Sequence, residues 1–247
     1  MPKFDQLPTL GKQKLLLCGD PGAGKTGLLA TLANAGYNVN ILNVDDNLGI
    51  MGAYLTDEAR DRVSACTVQA KDKTSWKAIL GATEKWDDGV DPRTWDKNSV
   101  LVVDSATFAN EICMQSVMGE NNVKDDGVGF DQRLWGIMAN RFENFVARLT
   151  SDKYACHVIF IAHMRLIENK KIGGVLKAMP AFLGQQLPNT VARYCNNVWL
   201  AERDKDGTPK LYTQSNAKYS YLKCSAPHKI DAVAEFDLGK LFKKTEG

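Results

Sequence analysis

An α/β fold, with a mainly parallel sheet flanked by helices and a C-terminal antiparallel extension, follows from three features of the sequence. Apolar runs of strand length alternate with helix-length periodic segments as far as residue 200. The octapeptide Gly-Asp-Pro-Gly-Ala-Gly-Lys-Thr, at 19–26, joins the first apolar run to the first helical segment. Beyond it, Asp206-Gly207 separates two strand-like runs, a hairpin signal.

The elements are predicted in order. Leu15 to Cys18 reads as a buried strand, and Gly27 to Ala35 as a helix stopped by Gly36. Val39 to Val44 is a second strand ending at Asp45-Asp46, and Val63 to Gln69 a short third one. Thr74 to Trp86 reads as a helix and Gly89 to Lys97 as a loop. Val100 to Val103 is a buried strand ending at Asp104, followed by a helix from Phe108 to Met118. Gly119 to Gly129 is polar and Gly-rich, and reads as a mobile segment. Asp131 to Thr150 is a long amphipathic helix, and His157 to Ala162 a buried strand ending at His163. Arg165 to Pro188 has no period and reads as a long loop, which in a compact domain is usually functional. Strands are expected at Asn197–Glu202, Lys210–Gln214 and Tyr219–Lys223, with a closing helix at Ala232–Lys244. The whole is predicted to be one domain over 1–247, with an N-terminal arm at 1–11, a nucleotide-binding core at 12–200 and the extension at 201–247.

The octapeptide is a complete G-x-x-x-x-G-K-[ST] phosphate loop between a strand and a helix. Gly19, Asp20, Pro21, Gly22, Ala23, Gly24 and the following Gly27 are the expected nucleotide-binding residues, and the glycines let the backbone curl so that successive N–H groups point inward at a phosphate chain. The new helix adds its positive N-terminal end. Lys25 is expected to reach the β- and γ-phosphates, and the Thr26 hydroxyl to bind Mg²⁺. ATP and Mg²⁺ are therefore the expected cofactors. ATP is preferred to GTP because no N-K-x-D base-reading motif occurs.

Further chemistry sits at strand ends. Asp104, closing Leu-Val-Val-Asp-Ser at 101–105, is placed to hold the Mg²⁺ shell, with Ser105 near phosphate or water and Thr107 as the cap of the next helix. Asp45 and Asp46 are candidates to orient or deprotonate the attacking water, and strand alternation allows at most one of them to reach it. His163 ends the run Phe160–Ala162, where a polar side chain faces the γ-phosphate region and can sense it.

Composition narrows the function classes. No apolar run approaches the roughly 20 residues that span a bilayer, so no membrane partner is expected. The six cysteines are scattered, with no C-x-x-C pair, which points away from zinc and toward a reducing, cytoplasmic setting. Net charge is +2, unevenly spread. Residues 1–152 carry 16 basic against 21 acidic side chains, and residues 153–223 carry 11 against 4, so the second part is the candidate polyanion-binding surface.

The sequence GDPGAGKT, then NVDDN, LVVDS, FIAHMR and a Gly-rich basic segment, resembles the RecA-type recombinase core in order over about residues 12–225. The length is similar to that of minimal phage-encoded RecA-core (Sak-type) ATPases associated with single-strand annealing. The resemblance implies a P-loop ATPase of phage DNA recombination, annealing or replication, acting in the cytoplasm of a bacterial host. It implies single-stranded DNA as a partner, self-association into a ring or filament with ATP near subunit interfaces, and a phage single-strand-binding protein or annealase as a further partner. It implies that His163 links γ-phosphate to DNA, and that Arg165, Lys170, Lys171 and Lys177 contact DNA with Phe182 stacking on a base. Lys218 and Lys223 would reach a neighbouring subunit's nucleotide. One departure stands out: Asn47 occupies the place of the usual catalytic glutamate, which predicts weak turnover without DNA. Two alternatives remain open: an ATP-controlled loader or partner-recruiting switch with little turnover, and a small-molecule or nucleotide kinase. The lysine-rich basic segment, with few arginines, argues against a kinase lid.

Overall fold

The fold is taken from a computed structural model, which describes residues 11–68, 74–124, 127, 129–169, 175–184, 186–216 and 218–246. Its centre is an eight-stranded sheet in the order β10-β9-β8-β1-β5-β4-β2-β3. The parallel strands are β1 (Lys14–Cys18), β2 (Asn38–Asn43), β3 (Val63–Thr67), β4 (Ser99–Asp104), β5 (His157–Ala162) and β8 (Asn197–Arg203). The remaining two, β9 (Pro209–Tyr212) and β10 (Val233–Ala234), are antiparallel and complete one edge. The expected fold class is the observed one.

Strand alternation builds a layer on each face. Leu16, Leu42, Leu101, Val103 and Phe160 pack on one side beneath α2 (Ser75–Ala82), α3 (Ala106–Glu120), α4 (Gln132–Thr150) and α5 (Leu187–Tyr194). Their neighbours Leu15, Leu17, Ile41, Val102 and Ile161 point to the other side, beneath α1 (Lys25–Asn34) and α6 (Leu238–Glu246). With both faces covered, the central strands read as continuous apolar runs, as parallel strands do.

Helix ends follow local chemistry. Asp131 starts α4 by accepting the Leu134 N–H at 2.9 Å, and Leu134, Met138, Phe142, Phe145, Val146 and Leu149 form its buried stripe. Thr31 of α1 accepts the N–H of Leu238 at 2.9 Å, which seats α6 on α1. Gly239 permits that approach, because a Cβ there would lie 2.5 Å from Thr31 O.

Several boundaries differ from expectation. The segment from Arg165 to Pro188 is not a loop. It holds an antiparallel hairpin of β6 (Met164–Asn169) and β7 (Val175–Pro180), then the start of α5. Its two strands, Met-Arg-Leu-Ile-Glu-Asn and Val-Leu-Lys-Ala-Met-Pro, follow no strict alternation of apolar and polar residues. Tyr219–Lys223 is not a strand; it contributes one bridge, Val198 with Lys223. The closing helix begins at Leu238 rather than Ala232, after β10, and the helix predicted to run to Trp86 ends at Ala82. Residues 1–10 of the expected arm, and 125, 126 and 128 of the expected mobile segment, lie outside the described residues.

Candidate nucleotide site

Parallel strands share one carboxyl edge, and that edge gathers the site. Cys18 stands in register with Ala162 and with Leu200, and Asn43 with Asp104. The segments that follow these ends therefore meet around a cleft of about 510 Å³. The loop residues Pro21, Gly22, Gly24, Lys25, Thr26 and Gly27 form one wall. Asp45, Asp46, Asn47, Asp104 and His163 form the floor and the opposite wall, with Ile50 and Tyr54 at the mouth.

The loop has the conformation anion binding requires. Gly22 and Gly24 have φ of 79° and 91°, a region that side chains resist. Gly24 begins α1 without any side-chain cap, so the first helical N–H groups are left for a ligand. Gly19 must be glycine: a Cβ would lie 2.6 Å from the Ala201 carbonyl oxygen of β8. Lys25 is folded back, donating to the Gly19 and Asp20 carbonyls at 2.8 and 2.9 Å. Burial lowers its pKa, against the raising effect of Asp104 and Asp45.

The order β1-β5-β4 sets β5 between the strand entering the loop and the strand ending in Asp104. His163 therefore follows the central strand of the three. Its Nδ1 is buried with no hydrogen-bond partner, as are Asp45 Oδ1 and Asp104 Oδ2. Burial and the nearby Asp45 push the Asp104 carboxyl up to about 7, while Lys25 opposes them. Burial, then the Lys25 charge, lowers the His163 pKa, which keeps the imidazole neutral at pH 7.

These orphaned atoms fit a Mg²⁺–nucleotide. Among the described residues no three His, Cys, Asp or Glu side chains form a closed metal site. That suits Mg²⁺, which keeps waters and substrate phosphates in its shell beside one or two protein ligands. Thr26 and Asp104 are the residues that would hold it, and the ion would neutralise phosphate charge.

A model of the AAA domain family AAA_24 matches residues 11–221. The chain belongs to this family. It is thus a P-loop, nucleotide-binding domain, and the match spans the loop, all the strand ends described above and the β6–β7 hairpin. A search of curated proteins finds none that matches the chain. Among the described residues no helix is long and apolar enough to cross a membrane.

Other expected residues fall in several places. Asp45 and Asp46 both line the cleft, because β2 ends at Asn43 and its alternation does not extend to them. Asp45 is half-buried and stands close enough to Asp104, Lys25 and His163 to shift each of them. Asp46 is exposed, with φ of 60° and its N–H bonded to Asn43 Oδ1 at 3.1 Å. Ser105 and Thr107 both differ from expectation, and neither lines the cleft. Ser105 is buried and caps α3 by accepting the Phe108 N–H at 3.4 Å, so it does not line the cleft. Thr107 Oγ1 instead accepts the His163 N–H at 3.0 Å.

Phe182 is a correction. It is 1% exposed and packs against Phe142 with ring centroids 5.6 Å apart, so no base can stack on it in this conformation. Arg165 is half-buried and donates to the Gly184 carbonyl at 2.9 Å. Lys170 and Lys171 lie outside the described residues, and for Lys177 the backbone alone is described, paired with Ile167. Neither Lys218 nor Lys223 lines the cleft. Lys218 pairs with Glu202 at 3.2 Å, and Lys223 donates to the Cys195 carbonyl at 2.7 Å.

Sequence reasoning overlooked Arg203, at the end of β8 and on the wall of the cleft.

Proposed function

We propose that this protein is a RecA-type ATPase that binds single-stranded DNA under the control of ATP, in phage recombination, annealing or replication. The observation that carries the reading is the connection from His163 to the β6–β7 hairpin. The hairpin begins at the next residue, Met164 pairs with Pro180, and the Ala181 N–H returns to the His163 carbonyl at 2.8 Å. Both ends of the hairpin are thus fastened at the residue facing the nucleotide cleft. A change at His163 on γ-phosphate binding would be passed to a segment carrying Lys170, Lys171 and Lys177.

Each residue then has a task. The loop N–H groups and Lys25 bind the phosphates, and Thr26 and Asp104 hold Mg²⁺. Asp45 is the better-placed carboxylate to orient and deprotonate the attacking water, because it is near both Lys25 and Asp104. Neutral His163 donates its ring N–H to the terminal phosphate. The lysines of the hairpin segment meet DNA phosphates, a contact that weakens with salt. With Phe182 buried, backbone electrostatics supplies this contact rather than stacking. Self-association into a ring or filament, and a single-strand-binding or annealing partner, belong to the same reading.

The test is the triple change of Lys170, Lys171 and Lys177 to Ala. Single-strand affinity is expected to fall and its salt dependence to flatten by up to about three phosphate contacts. Unchanged affinity and slope would remove the hairpin from the DNA site. Asn47, exposed in the cleft where a carboxylate would serve, favours a second reading as an ATP-binding loader or recruiting switch. Saturable ATP binding with no turnover, even with DNA, would select it.

A further inference from the structure

We propose that Arg203 is a second phosphate-binding cation of the cleft, acting beside Lys25 and favouring a nucleoside triphosphate over a diphosphate; this rests on the nucleotide reading above. Among the described residues, Lys25 and Arg203 are the two Lys or Arg side chains lining the cleft, against the carboxylates of Asp45, Asp46 and Asp104. Three carboxylates oppose a polyphosphate there, and Arg203 adds positive charge beyond that of Lys25 and a bound Mg²⁺.

Its backbone is fixed. Leu17 and Cys18 pair with Trp199 and Leu200, so β8 runs beside β1 to the root of the phosphate loop. Arg203 is the last residue of β8, and it lines the cleft. The side chain then reaches the loop. Arg203 Nε donates to the Gly22 carbonyl at 2.8 Å, and Nη1 to the Gly207 carbonyl at 2.6 Å.

What the guanidinium lacks is a counter-charge. Among the described residues no carboxylate lies within ion-pair distance of it, whereas Arg60, Arg93, Arg141 and Arg148 each hold one. Nη2 makes no hydrogen bond there either. Arg203 is exposed, so its free edge can turn to a ligand. A planar fork of N–H donors beside a phosphate loop, with no acid to neutralise it, suits two phosphate oxygens at once. The terminal phosphate adds the charge that makes such a contact worth most.

The test is equilibrium binding of fluorescent ATP and ADP analogues with Mg²⁺ to wild type, Arg203→Ala and Arg203→Lys, with thermal melting of the ligand-free proteins. Arg203→Ala is expected to weaken ATP binding about 10-fold or more and ADP binding no more than about 3-fold, with Arg203→Lys between. The gap should narrow as salt rises. Unchanged ATP affinity in Arg203→Ala overturns the inference. So does an equal loss for ATP and ADP accompanied by a lower Tm, which marks Arg203 as a brace of the loop alone. Wild-type protein that binds neither nucleotide contradicts the nucleotide reading itself, and this inference with it.

Discussion

The nucleotide cleft and the β6–β7 hairpin meet at His163, yet their sequences specify them in different ways. The cleft is built from residue types that chemistry demands at fixed spacing: glycines where φ is positive, a lysine and a threonine at a helix start, acids at strand ends. The hairpin is built from pairing between strands, Arg165 with Met179 and Leu166 with Ala178, which tolerates many side chains. The first region therefore carries a readable motif and the second carries none. The difference also divides the expected behaviour: substitutions in the cleft should strike ligand binding, and those under the hairpin should strike stability.

The largest effect is expected at Lys25. Lys25→Ala should abolish measurable hydrolysis and weaken ATP binding by at least about 100-fold, with Tm unchanged or raised, since a buried cation is removed. Retained ATP binding, read by equilibrium titration, would break the assignment of the loop. On the other side, Phe182→Ala should destabilise the fold by about 3–5 kcal/mol in denaturant titrations, because it leaves a hole beside Phe142 in the main core. A variant with wild-type stability and weak DNA binding would restore Phe182 to the DNA surface.

The separation of the two regions also explains what could be read in advance. The alternation of strands and helices was legible because parallel strands buried on both faces are continuous apolar runs, as at Leu15–Cys18 and Val100–Val103. The loop, Asp104 and His163 were legible because each follows such a run. The hairpin was not, and α5 was missed although Pro188 stands in its first turn, where proline is favoured. Ser105 rather than Thr107 caps α3, since either residue type can cap a helix and the choice depends on where α3 starts. Arg203 escaped notice because its meaning lies in the pairing of β8 with β1, which no local pattern reveals.

A third expected effect concerns charge in the cleft. The folded-state pKa of Asp104, about 7, lies above the ordinary carboxylate value of 3.8. An acid with a raised pKa costs stability as it ionises: nothing below pH 4, progressively more between 4 and 7, and the full amount above 7. Asp104→Asn should therefore be more stable than wild type at pH 8 without nucleotide, by about 2–4 kcal/mol, and match it near pH 4. The same variant should lose Mg²⁺-dependent nucleotide binding. A lower Tm at pH 8 would mean that Asp104 is stabilised by a partner rather than strained by burial. The smallest effect is expected at Lys218, whose pair with Glu202 is exposed: Lys218→Ala should change stability by less than about 0.5 kcal/mol. A fall in hydrolysis that depended on protein concentration would instead place Lys218 at a neighbouring subunit's nucleotide.

The central claim is that cleft and hairpin act together through His163, and the direct test is ATP hydrolysis with and without single-stranded DNA, using Lys25→Ala as the blank. The account predicts slow basal turnover that DNA stimulates in wild type, and a His163→Ala variant that still binds ATP but loses the stimulation. ATP binding with no stimulation in wild type, or stimulation that survives His163→Ala in full, would contradict it.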